Sequence, residues 1–248
     1  MTGFWPIYRR EMVSLWVTPL AWVLLTVFLF LQGLSFYWIV RHLSTLAELS
    51  VDSGPLQSYF GQSIFLIMSL LLLCPALTMR LFAEEKRSGT IESLMTAPVS
   101  ATGVVAGKYL AVLTTYVLMW APTVLYVVIL RKTGEVDWPV VGASYLGVLG
   151  IGAGYLALGT LMSAMTRSQL VALILTIVCS FGLFIFGIGE YIVDPGPLRQ
   201  FCAHVSVFSQ MDEFSKGIVD LRRLVFHATL IGLPLFITVR VVDSWRWG

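Results

Sequence analysis

Gln169–Ile192 reads QLVALILTIVCSFGLFIFGIGEYI, 24 residues whose single charged member, Glu190, stands at one end. A helix of that length rises about 36 Å, more than the roughly 30 Å hydrocarbon core of a bilayer. It is apolar all round, so a soluble domain of ordinary size has no place for it. Working outward, five further stretches pass the same test: roughly 20–40, 61–82, 104–130, 140–165 and 222–242. Pro122 interrupts the third and predicts a kink, which a membrane helix tolerates. The last is the weakest, because its clean apolar run from Leu224 to Val239 is only 16 residues long. The expected fold is an all-α integral membrane protein with six transmembrane helices, the whole chain forming one transmembrane domain.

Composition agrees. Of 248 residues, 57% are hydrophobic and 12% charged, against about 25% charged in an average soluble domain. Mean hydropathy is +0.84. Sixteen Lys and Arg against 14 Asp and Glu leave a net charge of +2, too little basic surface for a nucleic-acid partner. Cys74, Cys179 and Cys202 form no CxxC pair and read as small hydrophobes. His42, His204 and His227 lack metal-ligand spacing, so neither metal nor cofactor is expected. The segment Gly103 to Tyr109 has three residues between its glycines and Tyr after its lysine; a phosphate-binding loop needs four, then Ser or Thr. The chain itself is therefore expected to hydrolyse no ATP. Carboxylates near the bilayer midplane, which proton coupling requires, are also absent from the expected spans. A transporter built this way draws its energy from another subunit.

Arg9, Arg10 and Glu11 precede an apolar stretch too long for a secretory signal, so the N-terminus is expected to be kept. Six spans put both ends on one side. Of the alternating connections, that side holds nine Lys and Arg and the other seven, which places both termini in the cytoplasm. Ahead of the first span, Phe4 to Pro19 predicts an amphipathic interfacial helix, with Tyr8, Met12, Leu15 and Trp16 on one face and Arg10, Glu11 and Ser14 on the other. Trp5 and Trp16 would anchor it. The plainer reading is a frayed start of the first span.

The connection Arg80 to Lys108 gathers seven charges, Arg80, Glu84, Glu85, Lys86, Arg87, Glu92 and Lys108. The second span is expected to continue as helix to Ser88 and stop at Gly89. Thr90 then caps a short helix ended by Pro98, with Ile91, Leu94 and Met95 on one side and Glu92, Ser93 and Thr96 on the other. Such a stripe fits a partner's groove, or packs on the protein's own helix ends. The connection Asp194 to Asp220 carries Pro195, Pro197 and many apolar residues, too apolar for a free loop. It reads as two short helices dipping back into the bilayer, or as an extracellular helical hairpin. The glycines of the fourth span, including the pair Gly150 and Gly154, permit close helix contact, within the chain, in a dimer, or as a hinge.

The run FAEEKRSGTIESLMTAPVS from Phe82 to Ser100, the following Gly107-Lys108-Tyr109, the segment Phe214-SKGIV-Asp220 and the pair Arg10-Glu11 together resemble the permease subunits of type-2 ABC transporters. The similarity is greatest to the short gliding-motility-associated, GldF-like branch, and it covers nearly the whole chain. It implies a multi-pass subunit of the bacterial inner membrane, with a second copy or a sister permease and two separate ABC ATPase subunits as partners. Thr90 to Ala97 would be the cytoplasmic coupling helix, with Glu84, Glu85, Thr90, Ile91, Glu92, Leu94 and Met95 at the ATPase contact. Arg10 and Glu11 would mark the second contact, and Phe214, Ser215 and Gly217 a re-entrant segment before span six. Lys216 departs from the Arg more usual there but keeps the charge. The function implied is transport, in the export direction; the alternative is a non-transporting scaffold for a motility or envelope machine that recruits an ATPase.

Overall fold

The computed structural model describes residues 4–45, 55–61, 63–91, 99–133 and 136–245, and among them there are helices and turns but no strand. In chain order the helices are α1 (Phe4–Val17), α2 (Pro19–Thr45), α3 (Pro55–Gly61), α4 (Ile64–Thr78), α5 (Ala83–Ser88), α6 (Ala101–Trp120), α7 (Val124–Thr133), α8 (Trp138–Met165), α9 (Gln169–Ile192), α10 (Pro197–Val205), α11 (Val207–Ser215) and α12 (Leu221–Ser244). Six stretches are long and apolar enough to cross a membrane: Pro19–His42, Ile64–Ser88, Ala101–Lys132, Trp138–Met165, Gln169–Ile192 and Leu221–Ser244. These are the six spans expected, with ends shifted by a few residues. Pro122 falls in a 3-10 turn, Ala121–Thr123, that joins α6 to α7, so the third span is interrupted where the proline stands.

The spans are not equivalent. The apolar window of α8 is 72% buried within the chain and that of the second span 67%, whereas those of α2, α9 and α12 are 17%, 28% and 22% buried. The first two form the centre, and the other three turn most of their surface to lipid or to partners. The small residues of α8 explain its place. A Cβ on Gly154 would lie 2.5 Å from Leu230 Cδ2, and one on Gly152 2.3 Å from the Tyr116 ring. Tyr116 in turn donates its hydroxyl to the Val148 carbonyl at 3.0 Å. Gly150 and Gly154 therefore pack against α12 of the same chain. Between α2, α3 and α4, polar groups lock the contact: Tyr59 donates to Gln32 Oε1 (2.9 Å) and Gln32 Nε2 donates to Ser69 Oγ (2.9 Å).

The N-terminal stretch is the separate helix expected and not the frayed start of the first span, because the chain bends at Thr18, whose hydroxyl donates to the Ser14 carbonyl at 2.6 Å. Two expectations are corrected. The second span starts at Ile64, since Pro55–Gly61 forms its own helix α3. It also does not run on as one helix to Ser88. Helix α4 ends at Thr78 and the chain turns through 79–82 before α5. Thr78 Oγ1 donates back to the Cys74 and Pro75 carbonyls, and the amides of Phe82 and Ala83 both donate to Ser163 Oγ of α8, at 3.0 and 3.2 Å. A distant hydroxyl thus satisfies the donors that a continuing helix would have used.

Candidate functional site

At one end of the bundle α1, the turn 79–82, α5 and the start of α6 meet around Lys108. Its side chain is 1% exposed, and all three ammonium donors are engaged. Nζ contacts Glu11 Oε1 at 2.9 Å, Glu85 Oε1 at 3.0 Å and the Leu81 carbonyl at 2.7 Å. The Arg10 guanidinium closes the circuit from the solvent side, 2.9 Å from Glu11 Oε1 and 2.6 Å from Glu85 Oε1. Two cations and two carboxylates alternate, so no buried charge stands without its opposite. Gly107 makes the approach possible: a Cβ there would lie 3.1 Å from Ile7 Cγ2 and 3.3 Å from the Phe4 carbonyl. Tyr8 donates to Thr114 Oγ1 at 3.1 Å and Thr115 contacts Met12 Sδ at 3.5 Å.

Two sequence assignments change here. Glu11 was expected on the water face with Arg10; Arg10 is exposed, but Glu11 is turned inward, its side chain 13% exposed. Lys108 was counted among the loop charges and is instead buried in the first turns of a span. The signal available was a lysine next to a glycine at the mouth of an apolar helix, a position from which the side chain could equally have snorkelled to water.

The rest of the charged connection is fastened to α8 and α12. Besides accepting from Phe82 and Ala83, Ser163 donates to the Met79 carbonyl at 3.2 Å. Lys86 donates to the Ala164 carbonyl near the C-terminus of α8, where a cation is favoured, and its Nζ sits 3.9 Å over the Trp245 ring. Gly89 ends α5 in the left-handed region, φ +72°, as the sequence expects. Glu84 stays outside the circuit and pairs with Arg80 at 2.8 Å. Thr90 is exposed, with Ser88 Oγ 2.9 Å from its hydroxyl, and Ile91 is half-buried. Glu92, Leu94 and Met95, and with them the expected coupling helix, lie outside the described residues.

At the opposite end, α10 and α11 form the two short helices expected between spans five and six. They fold back along the bundle. Phe214 lies over Gly147, where a Cβ would meet its ring at 2.5 Å, and Gly147 is nine residues, or about 13 Å, inside the start of α8. The corner between the two helices presses on α9, with Ser206 Cα 2.7 Å from a Cβ built on Gly187. Arg223, 8% exposed at its side chain, clips the pair to α12. It holds Glu213 through two bonds of 2.8 and 2.7 Å and donates to the Ala203 and His204 carbonyls at 3.1 and 2.9 Å. Sequence reasoning missed this clip, counting Arg223 only as a charge at a helix mouth. Gly217, φ +78°, closes α11 with its amide bonded to the Phe214 carbonyl at 3.0 Å, and Ser215 is buried against Gly61.

The charge circuit has a pH consequence. Burial alone would push the Glu11 carboxyl up, but Lys108 and then Arg10 outweigh it and hold it below its ordinary value of 4.5. The contribution of ionised Glu11 to docking α1 is therefore fully present above that value and lost as pH falls through the lowered one. Spin labels on Val13→Cys and Leu118→Cys should move apart as the pH falls through the lowered value of Glu11. With Glu11→Gln added, the separation should no longer depend on pH in that range.

The family described as "ABC-2 family transporter protein" matches residues 42–214. That range takes in the charged connection, Lys108 and most of the folded-back pair, and leaves out α1 and α12. No curated protein matches the chain.

Proposed function

The chain belongs to the ABC-2 family of transporter proteins, and from that premise we propose that its charged end is the contact through which separate ATPase subunits drive it. As a multi-pass permease subunit it moves a substrate and leaves ATP hydrolysis to another polypeptide. The observation that carries the proposal is the fastening of the connection between the second and third spans. Lys108 ties it to α1 and α6, and Ser163, Lys86 and Trp245 tie it to α8 and α12. A force applied to this connection reaches four helices at once.

In this reading Thr90 to Ala97 is the coupling helix, inserted by its Ile91, Leu94 and Met95 stripe into a groove of the ATPase, and Arg10 with Glu11 belongs to a second contact. ATP binding closes two ATPase subunits and shifts the population of two paired permeases, this chain with a copy of itself or a sister subunit, toward the outward-open state. Both termini lie in the cytoplasm of a bacterial inner membrane, and the direction is export. The GldF-like, gliding-motility-associated assignment rests on the run Phe82 to Ser100 and is part of the proposal.

The test is to purify the tagged chain from its native membrane in mild detergent, identify co-eluting proteins and assay ATP hydrolysis. The expected result is a co-eluting ATPase whose activity in the eluate falls at least tenfold in Leu94→Glu, because burying an unpaired charge in an apolar groove costs more than about 1.4 kcal/mol. Equal recruitment by that variant would remove the coupling-helix assignment.

A further inference from the structure

A cleft of about 650 Å³ opens between α6 and α12, at the same end as the charged connection. It is lined by apolar Val105 from α6, which is buried, and Leu235 and the more exposed Phe236 from α12, and by polar Thr102 on one side and Arg240 and Asp243 on the other. The Arg240 guanidinium lies 5.2 Å over the Phe236 ring. Among the described residues neither Arg240 nor Asp243 has an ion-pair partner, although they are three residues apart on one helix. Side chains so spaced stand about 5–6 Å apart at Cβ. Asp243 also sits in the last turn of α12, where the carbonyl end of the helix disfavours an anion. A cation from elsewhere would relieve it.

We propose that this cleft binds one zwitterionic phospholipid that carries a primary ammonium. The phosphate lies on Arg240, the ammonium donates to Asp243, and an acyl chain runs past Val105 and Leu235. The ends of two spans meet the headgroup layer here, so polar and apolar lining together match the polarity gradient of the lipid itself. The charge pair sets the choice. An anionic headgroup without an ammonium would face Asp243 with like charge, and a trimethylammonium has no N–H to donate to it. The proposal needs only that α6 and α12 end at a bilayer surface, and it stands or falls apart from the ATPase contact.

The full chain would be purified in mild detergent and offered equal amounts of phosphatidylethanolamine, phosphatidylglycerol and phosphatidylcholine, with retained lipid counted by native mass spectrometry. One phosphatidylethanolamine should be retained, preferred roughly tenfold over the other two, the size of one charge-assisted hydrogen bond. Asp243→Asn should abolish that preference, and Arg240→Gln should lower retention of all three lipids. Ala106→Phe, which fills the cleft and leaves both charges, should release the lipid. Unchanged preference in Asp243→Asn, unchanged retention in Arg240→Gln, retention unaffected by Ala106→Phe, or preferred phosphatidylglycerol would each overturn the proposal and leave annular lipid only.

Discussion

Lys108→Met should destabilise the chain by about 3–5 kcal/mol, the cost of removing one partner from a buried charge cluster. Methionine fills much the same volume, so the loss is electrostatic and not a cavity. Glu11 and Glu85 would face each other with Arg10 alone between them, and the Leu81 carbonyl would lose its donor. The effect should appear as a lower melting temperature in detergent and as fast hydrogen exchange in α1, with the exchange of α8 little changed. Recruitment of the ATPase should fall with it, because the proposed second contact is no longer held. Since the groups act as a unit, Glu11→Gln combined with Lys108→Met should cost less than the sum of the two single changes. Additive losses would show that the circuit is not one interaction.

Arg223→Met should free the folded-back pair at the other end. It strips Glu213 of its cation and the Ala203 carbonyl of its donor, while the His204 carbonyl keeps the bond from Gln210 at 2.8 Å. The expected cost is about 2–4 kcal/mol, below that of a fully buried charge because Glu213 is 35% exposed and water screens it. Hydrogen exchange in α10 and α11 should rise, substrate movement should drop, and co-purification of the ATPase should persist. That combination separates the two ends of the molecule. Exchanging the pair, Glu213→Arg with Arg223→Glu, should recover part of the loss if the ion pair is the cause.

The six spans were legible because apolar length is a property each segment carries alone, as Gln169–Ile192 shows. The two helices between spans five and six were legible for the same local reason: two prolines precede a stretch too apolar for a free loop. The break at 79–82 was not, because the group that stabilises it, Ser163 Oγ, lies about 80 residues away and leaves no mark on the local pattern. Lys108 and Glu11 were misplaced for a related reason. Each is tolerated inside only because the other is there, and a helical wheel evaluates each alone. The folded-back course of α10 and α11 depends likewise on Gly147 and Gly187, whose missing side chains gain meaning only once Phe214 and Ser206 are known to stand against them. Thr90 and Ile91 end the described part of the proposed coupling segment, and its remaining residues rest on their sequence pattern.

Helix α8 is gripped at two places, by the connection at Ser163 and by Phe214 at Gly147, sixteen residues or about 24 Å apart. Between those grips Gly150 and Gly154 hold it against α12, and α8 contains no proline or 3-10 turn after its first residues that could absorb a push. If the ATPase contact lies at the charged end as proposed, α8 would serve as a push-rod. A displacement at the charged end would then arrive at the folded-back pair as the travel of one body, with no chain of ionisable groups across the bilayer needed to carry the message.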